Sequence, residues 1–419
     1  MHTIGIIAEY NPFHNGHRYQ IDELRRMFPA TDGIVALMSG SFTQRGAPCV
    51  LDKWTRARHA VAGGADLVLE LPFVFACRSA QDFARGAVSL LRGLGIIDRL
   101  AFGTETSDIN LLLKAAILID TERVQDRLHK HIGAGDSYAA ALSRALASTD
   151  IAEDILRAPN NILAVEYLRA LRQSAPEIVP VAIPRKGVRH NDAMLHAHIT
   201  SASSIRAALS GGTPPWSLLR DAVIPPVYTD LKAAYETGLP SEDMLLQLLR
   251  YTLLTERSAA LREICGITEG VENRLCRAAQ VTHSYDNLLT VATTKRYPRS
   301  RIARLVIHLL TRFKEAQAKR FDVRGAAYIR PLAFNTRGQA LLRRIKKCSQ
   351  LPVVTRTAAF LTSDERSTME QGSLLQEMLS FDTLATELRL LTMPREKHPR
   401  TDFITSPCAL TSIPKGQIS

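Results

Sequence analysis

Five short apolar runs, each closed by a polar turn and separated by helical stretches, constrain this chain more than any other feature. They fall at residues 4–8, 33–38, 66–71, 99–103 and 178–183, with amphipathic patterns between them such as 53–63 and 80–91. Such strand–helix alternation predicts an α/β fold, a Rossmann-like parallel sheet with helices on both faces. Ligands of these sheets sit beyond the carboxyl ends of the strands. The polar strand ends are 11–17, 39–45, 103–105 and 184–186, all predicted to open onto one crevice. Residues 108–174 carry helical pattern and insert before the last strand.

The first run shows where chemistry is placed. Asn11-Pro12 stops the strand, because the residue before proline is driven out of the helical region and proline cannot pair inside a sheet. The turn continues Phe13-His14-Asn15-Gly16-His17, and a helix is predicted to start near Gly16. Two imidazoles three residues apart then share one face at a helix N-terminus. Free backbone N–H groups and the positive end of the helix dipole suit phosphate there. Gly16 reads as room for a ligand to approach the backbone. In nucleotidyl transfer, charge grows on the α-phosphate and on the leaving pyrophosphate, and donors held at those oxygens stabilise the transition state. His14 and His17 are therefore the candidate catalytic pair. No third ligand stands at a metal-binding spacing, so no metal site is predicted. The plainer reading makes both histidines caps or surface residues.

At 419 residues, two to three domains are expected. Gly211-Gly212-Thr213-Pro214-Pro215 is the strongest break. It divides a nucleotide-binding domain (1–211) from a mostly helical, basic domain (212–393), with helices predicted at 244–255, 271–281, 300–321 and 374–392 and a short strand at 351–355. Residues 394–419 read as a flexible tail. The chain lacks an apolar run long enough to span a bilayer and lacks a signal-peptide pattern. Its six scattered cysteines contain no C-x-x-C pair, which predicts a reducing cytoplasm.

The net charge is +12 and regional: residues 295–347 hold sixteen Lys or Arg against Glu315 and Asp322. A local excess of this kind fits a docking surface for a polyanion; the plainer alternative is solvated helix faces. A smaller cluster, Lys53-Trp54 with Arg56-Ala57-Arg58, faces either RNA or a helix surface. After the last strand, Thr200-Ser201-Ala202-Ser203-Ser204-Ile205-Arg206 gathers hydroxyls at a helix start. Ser203 or Ser204 caps that helix and donates to phosphate, and Arg206 holds terminal phosphate oxygens, or the element is a plain serine cap with an exposed arginine.

Taken together, the ordered blocks resemble the bacterial tRNA(Met) cytidine acetate ligase family, within the nucleotidyltransferases related to class I aminoacyl-tRNA synthetases. The matching blocks are Ala8 to His17, Met38 to Gly46, Asp66 to Pro72, Phe102 to Glu105, Pro159 to Leu163, Thr294 to Tyr297 and Tyr328 to Asn335. Departures are Ala47 in place of Glu, Ser201 to Ser204 with serine where threonine is usual, and Pro331 and Ala333 in place of Val and Gly. The resemblance implies a ligase that activates acetate with ATP as acetyl-adenylate. It then acetylates N4 of the wobble cytidine, position 34, of elongator tRNA(Met). It further implies an ATP site made of Ile7, Ala8, Glu9, Tyr10, Asn11, Pro12, Phe13, His14, Asn15, Gly16, His17, Arg18, Tyr19 and Gln20. Gly103, Asn160, Asn161, Arg185, Lys186, Ser203 and Arg206 complete it. Asn160-Asn161 reads equally well as a helix cap after Pro159. The expected tRNA contacts are Lys295, Arg296, Arg330, Arg343, Arg344, Lys346 and Lys347, with Tyr297 and Tyr328 as stacking residues or, more plainly, core. Magnesium is expected with ATP, and neither a membrane nor a protein partner is implied. The competing classes are an adenylyltransferase with another acceptor, a non-catalytic RNA-binding relative, and a class I synthetase, whose Lys-Met-Ser-Lys-Ser loop is not visible here.

Overall fold

The computed structural model describes residues 2–106, 108–147, 149, 156, 158–185, 200–268, 270–362, 372–394 and 401–410. The first half runs β1 (His2–Ala8), α1 (Asn15–Met27), β2 (Thr31–Ser39), α2 (Lys53–Ala62), β3 (Leu67–Leu71), α3 (Phe73–Ala76), α4 (Ala80–Gly93) and β4 (Arg99–Thr104). The insertion follows as α5 (Ile109–Ile119), α6 (Glu122–Gly133), α7 (Tyr138–Leu146) and α8 (Pro159–Ser174), before β5 (Val179–Pro184). Helices continue as α9 (Ala202–Ser210), α10 (Trp216–Ala222), α11 (Pro225–Thr237), α12 (Asp243–Thr255), α13 (Ser258–Arg262), α14 (Val271–Val281), α15 (Tyr285–Ala292), α16 (Arg299–Thr311) and α17 (Glu315–Arg324). The chain then forms β6 (Pro331–Asn335), α18 (Thr336–Cys348), a helix at Leu374–Leu391, a short helix at Thr401–Ile404 and β7 (Cys408–Leu410).

The sheet has seven strands in the order β5-β4-β1-β2-β3-β6-β7. All five strands expected from the apolar runs are present and parallel; β6 joins β3 antiparallel. Alternation along β2 divides the core in two. Val35 and Leu37 face α4, α5, α8, α12–α16 and the helix Leu374–Leu391, while Ile34, Ala36 and Met38 face α1, α2 and α9–α11.

Four expectations change. The break at 211–215 separates helices rather than layers, because Leu219, Ala222, Val227 and Leu231 of α10 and α11 bury against the same sheet face as α9. The tail expected from 394 is not loose at 401–410, since β7 pairs with β6 and Asp402 is buried. Residues 351–355 form no strand, only a single bridge from Ile329 to Val353. The helix pattern at 300–321 divides into α16 and α17 where Arg312 takes a left-handed conformation, φ 52°.

Buried charge holds the added edge. Lys53 Nζ contacts Glu70 Oε1 at 2.8 Å and Asp402 Oδ1 at 2.6 Å. Arg330 reaches Glu70 Oε2 at 2.9 Å, Asp402 Oδ1 at 2.6 Å and Thr357 Oγ1 at 2.9 Å. All four charged side chains are 2% exposed or less. Burial raises the Asp402 carboxyl, but Arg330 and Lys53 outweigh it and hold the pKa down at about 2. Asp382 is the opposite case: burial, then Glu70, pushes its pKa up to about 7. Burial and Glu70 favour the protonated form of Asp382, and Lys53 and Arg330 oppose it. Arg330 is therefore a structural cation, not an RNA contact as expected. Tyr328 is likewise buried, its hydroxyl donating to Asp382.

Removing one partner leaves an uncompensated buried charge, a loss of about 3–5 kcal/mol. Arg330→Ala is therefore expected to lower the urea midpoint by an amount corresponding to that range. A midpoint within 0.5 kcal/mol-equivalent of wild type would show the network to be dispensable.

Candidate active site

The turn carrying His14 and His17 is held by hydrogen bonds that occupy Nδ1 of both rings. His14 is the N-cap of α1, and its Nδ1 accepts from the Gly16 N–H at 3.0 Å. His17 Nδ1 accepts from the His14 N–H at 3.2 Å. This is a capping box made of histidines instead of the usual Ser and Glu. Because both Nδ1 atoms accept, both rings carry their proton on Nε2. Among the described residues neither Nε2 has a hydrogen-bond partner. The ring centroids lie 3.8 Å apart. Gly16 is required for a reason other than ligand access: a Cβ there would lie 2.8 Å from His14 Cε1.

Surrounding groups fix the turn from below. Phe13 is fully buried, and its ring occupies the space a Cβ on Gly63 would need, 2.2 Å from Phe13 Cζ. Tyr10 and Phe13 flank the His17 ring at centroid distances of 4.9 and 5.5 Å. Both residues are buried in the core. Asn11 Oδ1 accepts from Val50 N at 2.9 Å, and Asn11 O accepts from Arg206 Nη1 at 2.6 Å. Arg56 is wholly buried and donates to the carbonyls of Leu51, Glu9, Ser39 and Gly40. The cluster at Lys53–Arg58 thus faces neither RNA nor solvent at its two buried members; Arg58 alone is exposed.

Burial, then the charges of Arg185 and Arg206, lowers the His14 pKa to about 3. Burial, then His14 and Arg185, takes His17 well below its usual value. Both are neutral donors at physiological pH. Arg185 follows the end of β5, its N–H bonded to Thr104 O at 3.0 Å, and a Cβ on Gly103 would stand 3.5 Å from Arg185 Cγ. No carboxylate lies within 4 Å of Arg185 or Arg206 among the described residues. Lys186 falls outside them.

Two caps differ from expectation. Ser201, not Ser203 or Ser204, caps α9 by accepting from Ser204 N at 3.0 Å; its geometry puts the side chain one residue before the helix, where Nδ- or Oγ-type caps belong. Ser203 Oγ sits 2.8 Å from Ser201 Oγ. Neither Asn160 nor Asn161 caps α8. Glu105 does so, its carboxylate accepting from Asn160 N at 3.2 Å and Asn161 N at 2.9 Å. Asn161 Oδ1 accepts in return from Glu105 N at 2.9 Å, so the pair joins the end of β4 to α8. A carboxylate 55 residues from the helix it caps has no local sequence signal.

The structure brings together His14, His17, Arg185 and Arg206. It does not bring the α18 part of the basic block to them. Gly338 of α18 packs on Asp66 O, Leu341 on Gly33, and Arg344 pairs with Asp32 at 2.8 Å. These partners mark the amino ends of β3 and β2, so exposed Arg343, Lys346 and Lys347 lie a strand length away, roughly 25 Å. At least eight of the sixteen cations are already ion-paired, including Lys295 to Asp136 at 2.8 Å, Arg299 to Asp286, Arg312 to Glu256 and Arg320 to Glu377. No cluster of three or more metal-ligating side chains occurs among the described residues, and no helix there is long and apolar enough to cross a membrane.

Residues 1–402 match the sequence pattern of the family described as HIGH Nucleotidyl Transferase. A protein of Halothermothrix orenii named tRNA(Met) cytidine acetate ligase is 34% identical over 96% of this chain and 98% of its own length. One of the same name from Caldanaerobacter subterraneus is 36% identical, covering 89% and 93%. The crystal structure of Thermotoga maritima TmcAL without ligand superposes with a TM-score of 0.87 at 30% identity, covering 98% of this chain and 100% of that one. The same protein bound with alpha-thio ATP gives 0.86 at 29% identity.

The depressed histidines make stability depend on pH with a definite sign. Between pH 3 and 6.5 the unfolded chain binds a proton at position 14 that the folded one does not, so folding weakens as pH falls below 6.5. His14→Gln is expected to flatten the stability curve there by about 1.4 kcal/mol per pH unit. Parallel curves for variant and wild type, measured by urea unfolding at pH 4.5 to 7.5, would refute a neutral buried His14.

Proposed function

The chain belongs to the tRNA(Met) cytidine acetate ligase family of HIGH nucleotidyl transferases, and on that premise we propose that it activates acetate with ATP and acetylates the wobble cytidine of elongator tRNA(Met). The observation that carries the reading is the pair of neutral imidazoles at the start of α1, neither Nε2–H having a hydrogen-bond partner among the described residues, with Arg185 and Arg206 close enough to act on them. Anionic oxygens are what such an arrangement attracts.

In the first step an acetate oxygen attacks the α-phosphorus in line, the bond to the bridging oxygen breaks, and pyrophosphate leaves with the electron pair. Acetyl-adenylate remains. His14 and His17 donate to the oxygens where charge builds, with the α1 N-terminus behind them. Their neutrality matters: a donor that is uncharged before ATP binds repels neither arginine, and its proton affinity rises as phosphate charge arrives. Arg185 and Arg206 take the β- and γ-oxygens, with Ser203 beside them at the α9 start. Magnesium accompanies the triphosphate as part of the substrate, and no protein ligand set is assigned to it. In the second step the N4 amine attacks the acetyl carbonyl, the acyl–phosphate bond breaks, AMP leaves, and the amine loses its extra proton. An anticodon loop presents that cytidine unstacked at little cost.

Radiolabelled acetate incubated with bacterial tRNA should give ATP-dependent label recovered as N4-acetylcytidine. Acetate-dependent pyrophosphate release without labelled RNA would mean a different acceptor. His17→Ala should lower acetate-dependent pyrophosphate release about 10²-fold while losing about 1 kcal/mol of stability through the missing cap. Wild-type release rates in that variant would remove the imidazole from the chemistry.

A further inference from the structure

A second recess opens beside the histidine turn, and its charge suits neither anionic co-substrate. It is a cavity of about 390 Å³ between the loop after β2, α9, the start of α12 and the start of α15. Ligand pockets run from roughly 300 to 1,000 Å³, so the space fits a nucleobase and exceeds what acetate needs. Two wall residues are tied to the turn through Asn11. Val50 N donates to Asn11 Oδ1 at 2.9 Å, and Arg206 Nη1 donates to Asn11 O at 2.6 Å. Arg206 belongs to both places: it lines the cavity, and its charge acts on His14.

Three acids line the cavity, and they are not equivalent. Asp286 pairs with Arg299 at 2.5 Å, and Asp243 Oδ1 accepts from Tyr285 N at 2.7 Å. Among the described residues neither carboxylate oxygen of Glu242 has a hydrogen-bond partner. Desolvation raises the Glu242 pKa, Arg299 and Arg206 oppose that rise without an ion pair, and Asp286 and Asp243 add to it. Tyr285 is the second unsatisfied group on the cavity wall. It is 1% exposed, its hydroxyl has no partner, and burial keeps it in the O–H form. A buried hydroxyl left without a partner costs about 1–3 kcal/mol. Pro48, Val50 and Leu239 supply apolar surface around these groups. Three carboxylates disfavour phosphate and acetate. A neutral ring that donates from an amine and accepts at its ring edge meets the same walls favourably, and a carboxylate accepting from N4 is the usual partner of cytosine.

We propose that this cavity receives the unstacked acceptor base of the RNA, and that Glu242 reads it by accepting a hydrogen bond from the N4 amine. This rests on the cytidine-acetylating reading above. The Tyr285 hydroxyl supplies the donor for the acceptor edge of the same ring. Arg206 stands between base and triphosphate, so the amine is held next to the adenylate it attacks. Uracil carries a carbonyl where cytosine carries the amine, and a carboxylate at that position rejects it.

The test runs two assays on each variant: acetate-dependent ATP–pyrophosphate exchange, and single-turnover transfer of labelled acetyl to an elongator tRNA(Met) transcript. Ala207 is exposed on the α9 wall, so Ala207→Phe fills the cavity. Glu242→Gln and Ala207→Phe are each expected to lower the ratio of transfer to exchange about tenfold or more. A transcript with uridine at position 34 serves as competitor. It should compete about tenfold more weakly than the natural transcript for wild type, and about equally for Glu242→Gln, whose amide can donate to the uracil carbonyl. A ratio within twofold of wild type in both variants would overturn the pocket while leaving acetylation by the wild type intact. Loss of exchange in step with transfer would assign the cavity to the nucleotide and overturn it as well. An undiminished preference for cytidine in Glu242→Gln would remove Glu242 from base reading. A wild-type protein that exchanges pyrophosphate but labels no tRNA would remove the activity reading, and the pocket with it.

Discussion

Helix α2 sends two cations three residues apart into the protein interior, and the rest of the structure is arranged around them. Arg56 makes no ion pair among the described residues; it is satisfied by carbonyls at the carboxyl ends of β1 and β2, where strand pairing has stopped. Those carbonyls would otherwise be buried without donors, each at a cost of about 1–3 kcal/mol. Lys53 reaches Glu70 and Asp402. One helix thus closes the floor of the site and anchors the distal edge of the sheet. Gly40 follows from the same arrangement, because a Cβ there would sit 2.4 Å from Glu70 Oε1.

The site built on that floor separates two electrostatic roles. Fixed positive charge comes from arginines on different elements, Arg185 after β5 and Arg206 on α9. The imidazoles between them are kept neutral by burial and by those same arginines. The capping bonds at Nδ1 fix the tautomer, so orientation and protonation state are decided by the backbone of α1 and not by solvent. Preorganised donors of this kind need little rearrangement when charge develops.

Charge along the chain and charge on the surface are different quantities here. Residues 295–347 are strongly basic in sequence, but Asp136, Asp286, Glu256, Glu377, Glu70 and Asp32 reach them from elsewhere. Several of the cations are joints between layers. The cations at the carboxyl edge of the sheet come from separate stretches, Arg185 after β5 and Arg206 on α9.

The sequence by itself determined the parallel sheet, since five apolar runs with helical spacers admit few other layouts, and it determined the histidine turn, since strand stop, imidazole spacing and helix start are all local. Period and proline geometry act over a few residues and are readable there. Tertiary structure alone decided the remainder. β6 was hidden by Pro331 and by its pairing with a strand some 260 residues away. Ser201 and Glu105 became caps through exact placement of one oxygen, which composition does not encode. Arg330 and Lys53 look like surface cations in one dimension, and only the meeting of Glu70 and Asp402 from distant parts of the chain makes their burial affordable.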